Sequence, residues 1–375
     1  MDIESLIAQL AAESVSESME SSPKIIEDST PLQLPKIKVI GIGGAGNNFV
    51  TALFERMRSS KIVETLAINT DASQLSVSKA HQRILIGRTV TRGYGAGNDP
   101  ILGRKAFEES REQVEKLISD ADLVVVVSGL GGGTGSGAAP ALLELTSELG
   151  ILSIAFLTLP FKCEGRVRIR NALEALSEIL RMQTVTVIVP NERLAKVAPH
   201  QTMHSAFSLA GDLFVQSMES LEDLIIEPGL INVDFADVCK VLSYKGIAVV
   251  GVASLEKTDQ KRATEVAEKI LNNPLLDINP ALGKSCLMEI VGGEDLTLSE
   301  SYDIVNTFTT TLGEDKEIIF GLRILPQYKS KIRVFCMITG IDVPLGNFNN
   351  SEEIFKSPLG KDSLLREADV DTPSA

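Results

Sequence analysis

Apolar and polar positions follow two rhythms along this chain. Short unbroken apolar runs, such as KVIGI at 38–42, ADLVVVV at 121–127 and ILSIAFLTL at 151–159, alternate with longer stretches whose apolar residues recur every three or four positions. The first rhythm suits a strand buried on both faces and the second an amphipathic helix. The pattern predicts strands at 37–42, 62–68, 83–86, 121–128, 150–158 and 184–189, with helices at 45–58, 100–119, 136–149 and 165–182. Asn98-Asp99-Pro100 makes a good helix start, because Asp or Asn caps the free amides and proline already holds helical φ. Strands and helices in this alternation build a parallel sheet covered on both faces.

Residues 202–227 change the rhythm. Phe207, Leu209, Phe214, Met218, Leu221, Leu224 and Ile225 keep helical spacing up to Pro228-Gly229, which predicts one long central helix. Beyond it, strands at 246–253, 284–292, 316–324 and 331–340 alternate with helices at 259–272 and 297–312. The expected fold is α/β: a parallel-sheet nucleotide-binding domain joined by the central helix to a smaller mixed α/β domain. The expected boundaries are 36–201, 202–227 and 228–342, between disordered tails at 1–35 and 343–375. The tail stretch ESVSESMESSPK is too polar to offset its ordering entropy. Two apolar islands, Ile3–Leu10 and Ile354–Leu365, interrupt the tails and suit short motifs that fold on a partner.

Composition narrows the function. The 375 residues hold 50 Asp and Glu against 36 Lys and Arg, a net charge of −14, which argues against a protein that coats nucleic acid. The four cysteines are far apart and form no zinc or disulfide pattern. His200 and His204 have metal-ligand spacing but lack a partner Glu and a third ligand, so a polar helix start is the expected reading. No apolar run approaches the roughly 18 residues of a spanning helix, and the acidic N-terminus lacks a signal-peptide pattern. A soluble, cytoplasmic protein is expected.

In parallel sheets, ligands bind beyond the carboxyl ends of the strands. Four loops of unusual composition stand at such ends. The first holds Gly43, Gly44, Ala45, Gly46 and Asn47 after a G-x-G start at Gly41; the second holds Asn69 and Asp71. The third holds Gly95, Ala96 and Gly97; the fourth holds Gly131, Gly132, Gly133, Thr134, Gly135 and Ser136. Bare backbone amides at helix starts bind anions, so two glycine-rich loops at one sheet edge fit a chain of phosphates. The first loop alone also fits a dinucleotide enzyme. A G-x-x-x-x-G-K-[ST] phosphate loop is excluded, since no Lys follows Gly137.

GGGTGSG at 131–137 closely resembles the signature loop of the tubulin and FtsZ family of polymerising GTPases. IKVIGIGGAGNN, AINTDA, GAGNDPILGRKA and GLINVDFADV resemble the prokaryotic FtsZ branch at the matching places, in order, over about Lys36 to Asp342. The resemblance implies GTP and GDP across the four loops. Amides of Gly43, Gly44, Gly131, Gly132, Gly133, Thr134 and Gly135 would reach phosphates, and the Thr134 hydroxyl would donate to one. Gly95, Ala96 and Gly97 would cover the γ-phosphate, with Mg²⁺ bridging phosphate oxygens. Glu164 would bind ribose, Arg168 would lie near phosphate, Asn191 would bond the guanine edge and Phe207 would stack on it. Asn232, Asp234 and Asp237 would enter the nucleotide site of the next subunit in a head-to-tail filament and orient the attacking water. The tails would recruit membrane-anchor and division proteins at the division site.

Two positions depart from the pattern. Ser136 replaces the usual Thr. Gly211 stands where the family carries the Asn or Asp that reads guanine, with Asp212 one residue on and about 100° around the helix. Ordinary helix capping stays open for Asp234 and Asp237. A member that assembles but hydrolyses poorly stays open as well.

Overall fold

The computed structural model describes residues 34–182, 184–197, 202–257, 261–273 and 279–342; the side chains of 195–197 and 203–208 lie outside it. The islands Ile3–Leu10 and Ile354–Leu365, His200, and the side chains of His204 and Phe207 fall outside the described residues.

One ten-stranded sheet runs through the molecule in the order β3-β2-β1-β4-β5-β6-β7-β10-β8-β9. Its first part is β1 (Ile37–Ile42), β2 (Val63–Asn69), β3 (Gln82–Leu85), β4 (Leu123–Gly129), β5 (Leu152–Leu159) and β6 (Val185–Pro190), all parallel. The second part is β7 (Gly246–Glu256), β8 (Ser285–Gly292), β9 (Glu317–Ile324) and β10 (Lys331–Ile341). β7 pairs parallel with β6, β10 inserts antiparallel between β7 and β8, and β9 lies parallel to β8.

The helices are α1 (Gly43–Met57), α2 (Ala72–Val77), α3 (Pro100–Glu109), α4 (Arg111–Ile118), α5 (Gly133–Glu148), α6 (Arg166–Arg181), α7 (Asn191–Val197), α8 (Met203–Ile226), α9 (Phe235–Ser243), α10 (Arg262–Leu271) and α11 (Leu298–Leu312). Strand side chains alternate between faces. Odd positions of β1 and β4 (Ile37, Val39, Val125, Val127) pack with α1, α8 and α9; even positions (Ile40, Ile42, Val124, Val126) pack with α3 to α6. Both faces are therefore apolar, which is why the strands read as unbroken runs.

Two local signals altered the expected boundaries. The stretch 100–119 is two helices, because Ser110 leaves helical geometry at φ −111 and ψ 7 while its hydroxyl accepts from Gly87 N–H at 3.2 Å. Helix α5 starts at Gly133, inside the glycine run, three residues before its expected start. The long helix spans 24 residues, about 36 Å at 1.5 Å per residue. Phe49 of α1, Phe156 of β5 and Phe214 of α8 lock it to the sheet, with centroids 5.0 to 6.0 Å apart. Such a pair adds about 0.5–1.5 kcal/mol beyond area burial.

Candidate functional site

A cavity of about 860 Å³ opens at the carboxyl ends of β1, β2, β4 and β5. All four glycine- or Asn-bearing loops reach its wall: Gly43, Gly44 and Ala45; Asn69 and Asp71; Gly95, Ala96 and Gly97; Gly132, Gly133, Thr134 and Gly135. Glu164, Arg168 and Asn191 line it too.

Gly46, Asn47, Gly131 and Ser136 are not among the lining residues, and each has a structural task. A Cβ on Gly46 would collide with the Val127 carbonyl, so glycine there lets α1 lie against β4. Asn47 is buried; with its amide oriented to satisfy its neighbours it donates to the carbonyls of Gly41 (2.9 Å) and Ile68 (3.2 Å) and accepts from Asn69 Nδ2 (3.1 Å). Ser136 Oγ accepts from Gly131 N–H at 2.7 Å, so that amide is already committed inside the loop. Gly133 N–H is likewise donated, to Gly97 O at 2.8 Å. The first bond of α5 runs from Ser136 N–H to Gly132 O, which leaves the amides of Thr134 and Gly135 upstream of the helical ladder. The anion-binding edge of this loop is therefore narrower than its glycine count suggests.

The remaining wall is set by caps. Asp71 caps α2 by accepting from Ser73 and Gln74 N–H at 2.9 and 3.0 Å, and Asn69 Oδ1 accepts from Asp71 N–H at 3.2 Å. Glu164 accepts from Phe161 N–H at 2.8 Å and pairs with Arg168 one turn away. Asn191 is 7% exposed, and its buried Oδ1 has no hydrogen-bond partner among the described residues. A buried acceptor left open at a cavity wall fits a donor on a bound molecule, since an unmet buried acceptor costs about 1–3 kcal/mol.

Sequence reasoning did not nominate Phe49, Tyr94, Thr158, Pro160 or Asp212, all of which line the cavity. Their types carry no motif, and only the fold gathers them.

Residues 36–199 match the family described as the tubulin/FtsZ family, GTPase domain, and residues 246–342 match the FtsZ family, C-terminal domain. A Methanocaldococcus jannaschii protein named "Cell division protein FtsZ 1" is 41% identical over 86% of this chain and 88% of its own length. The namesake from Pyrococcus horikoshii is 40% identical over 82% of this chain and 81% of its own. The chain belongs to the tubulin/FtsZ family. A solved M. jannaschii FtsZ dimer superposes with a TM-score of 0.75 at 37% identity, over 91% of this chain and 93% of that one.

The FtsZ segment GLINVDFADV at 229–238 sits apart from the cavity. Asp234 caps α9 and accepts from Asp237 N–H at 2.8 Å, while Asp237 accepts from Asp234 N–H at 3.3 Å. Asn232 Oδ1 accepts from Gly229 N–H at 2.7 Å, and Leu230 N–H bonds to Leu322 O on β9 at 2.8 Å. Neither carboxylate nor Asn232 lines the cavity. Burial, then the negative charges of Asp122 and Asp234, push the Cys239 thiol up. Helix α8 lines the cavity at Ala210, Gly211 and Asp212 and runs on to Ile226, about 21 Å farther along its axis, before the segment begins at Gly229. Helix α9 in turn meets the sheet at a strand start: Val241 O accepts from Thr339 Oγ1 at 2.8 Å, and Thr339 pairs with Ser285, the first residue of β8.

Gly211 and Asp212 both line the cavity wall, and a Cβ on Gly211 would meet nothing within 4 Å. Among the described residues, no helix is long and apolar enough to cross a membrane.

Proposed function

We propose that this chain binds GTP across the glycine loops, assembles head to tail, and hydrolyses the nucleotide at the joint between two subunits during cell division. The observation that carries the reading is the separation just described. The acids Asp234 and Asp237 follow the far end of α8 and the nucleotide cavity lies past the carboxyl ends of β1, β2, β4 and β5, so one subunit cannot bring both to a single phosphate. A second copy stacked along that axis can. Such a contact uses different patches on the two partners and does not close, so it generates filaments. Kinship to a protein solved as a dimer supports self-association.

Within the cavity, phosphates lie on the Thr134 and Gly135 amides and along Gly43 and Gly44, with Gly95, Ala96 and Gly97 above them. Asp71 and Gln74 line this end and give oxygen donors suited to Mg²⁺, which keeps several waters and neutralises phosphate charge when bound. The base lies at the other end, against Phe49, Asn191 and Asp212. Asn191 Oδ1 and the Asp212 carboxylate accept hydrogen bonds, and guanine presents N–H donors on its edge where adenine does not. Phe207 stacks on the ring in this reading, and Glu164 and Arg168 bind the ribose and phosphate side. Asp234 and Asp237, with Asn232, orient the attacking water from the neighbour, which is most of what phosphoryl transfer asks of a protein. The tails recruit membrane-anchor and division proteins, placing the filament at the division site in the cytoplasm. The dinucleotide-enzyme reading falls with the family match.

The test is GTP turnover measured against protein concentration, with light scattering recorded alongside. Specific activity should rise from near zero once GTP, but not GDP, drives scattering upward. A flat specific activity down to concentrations where only monomers exist would mean a self-contained site.

A further inference from the structure

Thr70 follows β2 and is wholly buried, and its side chain and its carbonyl point to two different loops of the cavity. Its Oγ1 lies 2.7 Å from Thr134 Oγ1 in the signature loop. Its carbonyl accepts from Gly95 N–H at 3.1 Å and from the buried Thr91 hydroxyl at 3.3 Å. The loop containing Gly95 is pinned again where Ala72 N–H bonds to Gly93 O at 3.0 Å, and at its other end by Gly133 N–H on Gly97 O. One buried residue therefore references both loops to the end of β2.

The hydroxyl pair has a direction. Among the described residues, Thr134 is the one hydrogen-bond partner of the Thr70 hydroxyl. A buried hydroxyl proton needs an acceptor. If Thr134 donated to Thr70, the Thr70 proton would be left unmet in the core. If Thr70 donates to Thr134, every group is satisfied: Thr134 lines the cavity, so its own proton is aimed at whatever sits there.

Resting on the nucleotide reading above, we infer that Thr70 is a positioning residue that makes the Thr134 hydroxyl a one-way donor to a nucleotide phosphate oxygen. The chain Thr70 O–H to Thr134 O–H to phosphate also polarises each bond in the same sense, which strengthens the last one. Thr70 never touches the nucleotide; it acts by removing the wrong orientation of Thr134.

The experiment is a double-substitution cycle read by fluorescent-nucleotide displacement. Thr70→Val, which keeps the shape and removes the hydroxyl, should weaken GTP and GDP about tenfold, in the range of one hydrogen bond to a charged group. Guanosine, which has no phosphate, should bind as it does to the parent. Thr134→Val should weaken the phosphorylated ligands at least as much. In the Thr134→Val background, Thr70→Val should change little, within about twofold, because the two act as one unit. Thr70→Ser should restore binding. If Thr70→Val does not fold, Thr70→Ala takes its place in the cycle. Additive losses, or an equal loss of guanosine, would make Thr70 a packing residue and overturn the inference. If the parent and Thr134→Val behave as expected while Thr70→Val binds like the parent, only the relay fails. A parent that binds no GTP overturns the functional reading and the relay with it.

Discussion

Gly132 and Gly133 are neighbours, yet a methyl group would meet opposite fates on them. Gly132 has φ −87 and ψ 172, extended backbone that any residue adopts, and a Cβ there meets nothing within 4 Å. Its added side chain would project into the cavity it lines. A Cβ on Gly133 would stand 2.7 to 2.8 Å from the carbonyl oxygens of Ala96, Asp99 and Gly97. Glycine is needed at 133 because another loop passes; at 132, on the function proposed above, it leaves room for the nucleotide. Gly132→Val should therefore keep its urea midpoint close to the parent's and lose GTP binding. Gly133→Ala should lose about 1–3 kcal/mol of stability, the usual cost of overpacking. Parent-like GTP affinity in folded Gly132→Val would make that loop a turn and nothing more. The sequence shows that the run is rich in glycine, but not what lies opposite each residue. Gly103 and Gly137 illustrate the same limit: added Cβ atoms would strike the carbonyls of Gly133 and Pro100, which lets α3 and α5 touch backbone to backbone.

Between elements, the long helix α8 is tied to the second half of the sheet by charge. Arg323 of β9 pairs with Asp223 of α8 at 2.8 Å and with Glu289 of β8 at 3.1 Å. Arg333 of β10 donates to Gln216 O at 3.3 Å and to Ser220 of α8. Glu289 is wholly buried, and its Oε2 has no hydrogen-bond partner among the described residues. Burial holds its carboxyl above the usual 4.5, against the pull of Arg333 and Arg323. A raised folded-state pKa means that the folded chain binds this proton more tightly than the unfolded one. The stability it contributes is present at low pH and is lost as pH rises above 4.5 through the folded value. Glu289→Gln imitates the neutral carboxyl. It should be more stable than the parent at pH 7, with the gap closing as pH falls toward 4, in urea titrations at each pH. A parent that is the more stable at pH 7 would mean that the pair with Arg323 outweighs the burial. None of this network is legible in sequence, since Glu289, Arg323 and Asp223 come from β8, β9 and α8 and meet only in the folded chain. The parallel half was legible, because unbroken apolar strands between amphipathic helices admit few other layouts. The short helix α2 was not: it has six residues and is set by the Asp71 cap rather than by periodicity.

Across the whole molecule, the decisive property is polarity along the strand direction. The cavity opens past the carboxyl ends of β1, β2, β4 and β5, and the Asp234 and Asp237 pair, tied by its reciprocal cap, follows the far end of α8. On the function proposed above, hydrolysis separates into two halves carried by different subunits. Asp237→Asn keeps an oxygen able to cap Asp234 N–H and removes the charge. It should bind GTP like the parent, assemble, and turn over at least about a hundredfold more slowly, comparable to the loss of one preorganised polar group in other active sites. Gly132→Val has the complementary defect, intact acids and an empty cavity, and should be inactive alone. Mixed in equal amounts, the two should recover activity. A working joint needs the nucleotide of an Asp237→Asn subunit and the acids of a Gly132→Val subunit. Random joining of two interchangeable faces gives that combination in at most about a quarter of joints. Recovery below that ceiling still decides the matter, because empty subunits join less well. A mixture as inactive as its two components, with Gly132→Val subunits shown by sedimentation to be in the filaments, would place both halves of the chemistry in one subunit and remove the acids from the joint.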